Sequence, residues 1–141
     1  MEALGRVFNA IAIADGVYVP LAQAGGVSFL CYLAAAAGDT YTLTEAKTAA
    51  GGSAQVLATI EKYWTSNGVG GVWTKHTQAA ASTVVTAAAT AENGMVVEVE
   101  APELSDGYAW VKLASTGAGL VTAIQRDLHV MRSPSNLAAL V

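Results

Sequence analysis

Two histidines, one cysteine and a short acidic run are the places where chemistry could begin in this chain. His76 and His129 stand far apart, and neither has a His, Cys or acidic neighbour at the spacing that metal ligands keep. On a strand, Asp127 and His129 point the same way, away from Leu128 and Val130. A carboxylate so placed would orient an imidazole for acid–base work. No nucleophile signature accompanies the pair, and a hydrogen-bonded polar strand face accounts for it. Ser and Thr are abundant, yet no Gly-x-Ser-x-Gly elbow occurs. Gly68-Val69-Gly70-Gly71 has the look of a phosphate cradle, but it follows a predicted helix rather than joining a strand to one, and no Gly-Lys-Ser/Thr comes after it. Such glycines mark turns. Glu98, Glu100, Glu103 and Asp106 offer oxygens to a hard cation at a spacing that matches no calcium loop, so they read as a solvated acidic face. Cys31 has no partner for an internal disulfide and lies in the apolar run Val27–Leu33, where a thiol serves as a small buried hydrophobe. The expectation is no catalytic residue, no metal ligand and no cofactor.

Composition points toward assembly instead. The chain has 141 residues, enough for one domain with its own core and no need of a metal or disulfide staple. Only 13% of them are charged, against about 25% in an ordinary soluble domain. Mean hydropathy is +0.42, yet no uninterrupted apolar stretch is long enough to be a membrane helix, and Met1–Arg6 lacks the basic start of a signal peptide. A free monomer keeps a charged surface to stay dispersed, whereas a subunit covered by neighbours need not. A genome rich in G and C would bias composition the same way. The net charge is −4 and the basic residues are scattered, which disfavours nucleic-acid binding, since that needs a local basic patch.

The elements that would carry this surface are mostly strands. Val17–Leu21 reads as a strand with Pro20 at an edge or end. Val27–Leu33 is apolar on both faces, as a central strand would be, and Thr40–Leu43 alternates. Thr44 caps a predicted short helix ended by Gly51-Gly52. Ser53 then caps the principal predicted helix, whose stripe Val56, Leu57, Ile60 and Trp64 recurs at helical spacing and puts Trp64 in the core. Further strands follow at 72–77, 82–86, 95–100, 108–114 and 120–124, the last continuing toward Arg132 and ended by Pro134. Asn93-Gly94 is a hairpin signal. The fold class expected is α+β: a β-rich, mainly antiparallel sandwich or barrel-like sheet with one principal helix. It forms a single domain over 1–141, with an N-terminal arm at 1–16 and an apolar C-terminal tail at 134–141.

The candidate interface follows from apolar residues in unusual places. Phe8, Ile11 and Ile13 sit in the arm, and Leu137, Leu140 and Val141 in the tail, where most chains end in polar residues. Tyr108 and Trp110 share one strand face opposite Ala109, Val111 and Leu113, so that strand needs cover on both sides. At least one terminus is expected to pack on another subunit.

Several stretches together resemble small virion proteins of tailed phages of actinobacteria: Gly16–Leu21, Val27–Tyr32, Gly38–Ala46 and the closing Asp127–Leu137. The resemblance covers most of the chain, rests on strand and turn residues, and carries across no functional residue. It implies a minor capsid or head-decoration (cement) subunit in the virion, made in the host cytoplasm. Its partners would be the major capsid protein and copies of itself, with no nucleic acid, membrane or small-molecule substrate. A head–tail connector or tail subunit, or a small ligand-binding or enzymatic α+β domain, are the alternatives.

Overall fold

Alternation with a period of two runs through nearly every segment of the chain, and it builds strands. The computed structural model describes residues 9–34, 37–68 and 70–129. Eleven strands follow in order: β1 (Ala10–Ile11), β2 (Val19–Pro20), β3 (Ala24–Tyr32), β4 (Asp39–Ala46), β5 (Gln55–Val56), β6 (Ile60–Ser66), β7 (Thr74–Ala81), β8 (Thr83–Thr86), β9 (Gly94–Glu100), β10 (Trp110–Ser115) and β11 (Leu120–Leu128). They form two antiparallel sheets. Sheet A has the order β1-β11-β3-β9-β6-β7, and sheet B the order β2-β10-β4-β5. β8 joins sheet B on the edge of β4 that β5 also uses, β5 beside Thr44–Glu45 and β8 beside Asp39–Thr42.

The core lies between the sheets. From sheet A it takes Val27, Phe29 and Cys31, Met95, Val97 and Val99, and Val121 and Ala123; from sheet B it takes Val19, Tyr41, Leu43, Val84, Val111 and Leu113. Each fully buried aliphatic or aromatic side chain of this kind contributes about 1.5–3 kcal/mol relative to exposure. Burial pushes the Cys31 thiol pKa far up, with Asp15 and Asp39 adding to the shift, so the sulfur stays protonated and inert.

The expected α+β class with a principal helix is corrected by this structure. Among the described residues the helical pieces are short 3-10 turns, such as Thr90–Glu92 and Ala101–Glu103. The two packed antiparallel sheets fit the sandwich part of the expectation; the helix has no counterpart. The stripe Val56, Leu57, Ile60 and Trp64 straddles a crossing from sheet B to sheet A. Val56 lies in β5 and is 62% exposed, Leu57 and Ile60 enter the core at the crossing, and Trp64 lies on the outer face of β6, not in the core. Two strand ends placed in series mimic the helical period. Ile60, Tyr63, Trp64 and Thr65 are β-branched or aromatic and suit a pleated surface, so tertiary pairing overrides the weak helical preference. The predicted short helix after Thr44 is likewise the end of β4 and a tight turn, in which Lys47 N–H donates to Gly52 O at 2.9 Å and Gly51 N–H to Thr48 O at 3.0 Å. Asn93-Gly94 makes no hairpin, because β8 pairs with β4 while β9 pairs with β3 and β6.

Candidate interaction surface

The side of sheet A that faces away from the core is read directly from the strand registers. One row runs Leu120, Tyr32, Gly94, Ser66 across β11, β3, β9 and β6. The next runs Thr122, Leu30, Val96, Trp64, Lys75 and reaches β7. A third runs Ile124, Ser28, Glu98. Because Phe29 and Cys31 point inward, Leu30 and Tyr32 must point outward. The first two rows thus make an apolar surface. Leu120 is 64% exposed, Leu30 and Tyr32 each 39%, and Val96 and Trp64 are half-buried beside them. The Tyr32 ring lies over Gly68, where a Cβ would come within 2.7 Å of the ring. Gly68 also has φ +80°, so glycine is needed there twice over. The β6–β7 loop that begins at this end carries the exposed Val72 and Trp73.

The opposite end of the same face is charged. Arg126 bonds Glu100 at 2.7 Å and lies 3.8 Å from Glu98, which also accepts from the Ser28 hydroxyl at 3.2 Å. The acidic run of the sequence is therefore partly a paired strand face. The free edge at β7 is guarded by Lys75 and by a register shift between Ile60 and Lys62, both of which discourage edge pairing.

Two buried carboxylates on the inner face of β4 set where this surface sits. Asp39 accepts from Thr40 N–H at 2.7 Å, the Thr116 hydroxyl at 3.0 Å, Gly119 N–H at 3.1 Å and the Ser115 hydroxyl. It pins the turn that crosses from β10 to β11 and delivers Leu120. Glu45, fully buried, accepts from Gln55 Nε2 at 2.6 Å, the Ser105 hydroxyl at 2.6 Å and Ser105 N–H at 2.9 Å. It pins the loop ahead of β10. Burial alone would raise both pKa values. For Asp39 the bonds from Ser115, Thr40, Thr116 and Gly119 outweigh that and hold the group below its ordinary 3.8; for Glu45 those from Ser105 and Gln55 hold it below 4.5. The sequence reading puts Glu45 in the first turn of the predicted short helix and gives Asp39 no role, although Tyr41, Leu43 and Glu45 continue one alternation and so place a carboxylate on an apolar face.

The residues named from the sequence do not form one surface. Ile11 lies in β1 and packs against the core, while Ile13 is exposed in the loop after it. Trp110 opens β10 in sheet B, and Tyr108 lies in the loop just ahead of it. Lys47 Nζ lies 5.2 Å from the Tyr108 ring centroid, and Trp110 is half-buried, paired with Pro20 and Ala46. Phe8, Leu137, Leu140 and Val141 lie outside the described residues, as do the first half of the arm and the whole tail.

The histidines lie on separate elements, His76 in β7 and His129 just after β11. His76 Nε2 is 2.7 Å from the Thr65 hydroxyl, and its ring stacks on Tyr63 at 4.9 Å. His129 is exposed, and its backbone N–H donates to Gln23 O at 2.9 Å. Asp127 has φ +50°, which breaks the alternation that would have aligned it with His129. Among the described residues no group of three or more His, Cys, Asp or Glu side chains is placed to hold a metal ion. Comparison of the chain with protein-family models, with curated proteins and with solved structures returns no match.

Proposed function

We propose that the protein is a non-enzymatic structural subunit of a phage virion. It acts as a capsid decoration or cement subunit that stabilises the shell by binding the major capsid protein and neighbouring copies of itself. The observation that carries this reading is the apolar outer face of sheet A, where Leu30, Tyr32 and Leu120 stand exposed in adjoining rows of a charge-poor sandwich. A contiguous apolar surface rimmed by charge marks an interaction site. The buried carboxylates Asp39 and Glu45 hold the loops that flank β10. The resemblance to small virion proteins of actinobacterial phages supplies the setting.

Co-sedimentation with empty shells of a tailed actinobacteriophage tests it. The parent protein is expected to pellet with shells. A Leu30→Asp/Leu120→Asp protein, altered only at exposed positions, should melt like the parent and lose shell binding. A parent that never pellets with shells, or a double variant that pellets equally well, removes the reading.

A further inference from the structure

We infer that the outer face of sheet A packs on the same face of a second copy, about a two-fold axis that runs along the strands between β9 and β6. This rests on the reading of the chain as an assembly subunit and names the partner at its exposed face. The layout of charge across the rows carries it. Trp64 and Val96 lie opposite each other and point outward, so Lys62 and Glu98, two residues further along β6 and β9, point outward in the next row. Both are exposed, yet they do not pair within the chain. Glu98 turns the other way, toward the Ser28 hydroxyl at 3.2 Å and Arg126 at 3.8 Å. Arg126 itself is committed to Glu100 at 2.7 Å. Among the described residues Lys62, and Lys75 beside Trp64, have no carboxylate partner, because the ion pairs there belong to Arg126.

A two-fold contact is isologous, so every pairing across it occurs twice. That leaves the axis few positions on this face. Centred on β9 it sets Glu98 against Glu98, and centred on β6 it sets Lys62 against Lys62. Between β3 and β9 it lays Lys62 over Ile124 and covers an ammonium with an aliphatic chain. Moved outward between β6 and β7 it leaves Leu30 and Tyr32 bare. An axis across the strands stacks each strand on its own copy and never brings a β6 lysine to a β9 carboxylate.

Between β9 and β6 the same operation lays Lys62 over Glu98, Trp64 over Val96 and Ser66 over Gly94. One strand further out, Leu30 meets the stem of Lys75, a side chain that covers apolar surface while its ammonium stays in water. Trp73, one residue ahead of β7 and 48% exposed, comes toward Tyr32. Cation meets carboxylate and apolar meets apolar, with no like charges opposed. The strands of the two copies run in the same sense, the aligned packing that twisted sheets adopt about 10 Å apart.

Charge reversal tests this in solution, with mass read by light scattering across a concentration series. The parent is expected to be a dimer. Lys62→Glu sets a carboxylate against Glu98 of the second copy, and Glu98→Lys sets an ammonium against its Lys62, so each variant alone is expected to be a monomer. Mixed in equal amounts, the two variants restore opposite charges at both contacts and should recover the dimer as a hetero-pair. A monomeric parent overturns the inference, as does a variant that self-associates like the parent, or a mixture that stays monomeric. Disulfide trapping gives a second measurement that needs no reversed charge: a Lys62→Cys copy and a differently tagged Glu98→Cys copy are expected to form a mixed-tag dimer. Native Cys31 is fully buried and stays out of that reaction. No crosslink between variants that melt like the parent overturns the inference. Shell co-sedimentation separates it from the broader reading. A monomeric parent that pellets with shells makes the capsid protein the occupant of this face and sinks the inference alone. A dimer that never pellets with shells sinks the virion reading alone.

Discussion

Replacing Asp39 by Asn changes one atom of a buried carboxylate and should cost far more than that change suggests. One carboxylate oxygen accepts from Thr40 N–H and the Thr116 hydroxyl, the other from the Ser115 hydroxyl and Gly119 N–H. Asn keeps the first oxygen and sets an NH2 group against Gly119 N–H, donor against donor. The Ser115 hydroxyl can rotate to accept, and Gly119 N–H also reaches Ser115 Oγ at 3.1 Å, so the loss is not doubled. A hydrogen bond to a charged group contributes about 1.5–3 kcal/mol, so one such loss plus weakening of the rest gives about 2–4 kcal/mol. For a domain of this size that lowers Tm by about 6–16 °C. The pH dependence carries its own sign. The folded pKa is depressed below 3.8, so the stabilisation is complete above that value and is lost as pH falls through the folded pKa. Below it Asp39 is neutral, as Asn is, and the gap between the two proteins should narrow. Thermal melts stepped from neutral pH down through the acid range check both parts. A Tm within about 3 °C of the parent at pH 7, or a gap that does not change with pH, would refute the argument that Asp39 is an ionised anchor.

Phe29→Ala, in the core, should cost about 3–5 kcal/mol, whereas Trp64→Ala on the outer face should cost about 1 kcal/mol; denaturant unfolding of both ranks them, and the reverse order would put Trp64 back in the core. Glu45→Ala strands the Ser105 N–H and hydroxyl and the Gln55 amide, and should cost about 2–4 kcal/mol at neutral pH and less as pH falls below the depressed Glu45 pKa, read by melts across that range.

Much of the β structure was legible in the chain because strands announce themselves locally. The alternation in Met95–Glu100 and Tyr41–Leu43, the Gly-rich turn at 117–119 and Pro20 at a strand end each depend on neighbours only a few residues away, and each stands where the alternation puts it. Burial of Cys31 was equally readable from its apolar run. The candidate surface was not. Leu30 and Tyr32 looked like two-sided core, and their exposure depends on which strands flank β3 and on nothing covering the outer face of sheet A among the described residues. Leu120, Leu30, Val96 and Trp64 come from four strands that are distant in sequence.

The same limit explains the helix that is not there. Val56, Leu57, Ile60 and Trp64 carry a helical period, and period alone does not distinguish one helix from two strand ends crossing between sheets. Composition, strand alternation and the shortage of charge are properties of the sequence by itself, because they are sums or local patterns. Which face of each strand meets water, and the use of Asp39 and Glu45 to fix the ends of β10, were decided only by tertiary structure, because registers between distant strands are chosen by the packing of the whole core rather than by any segment alone.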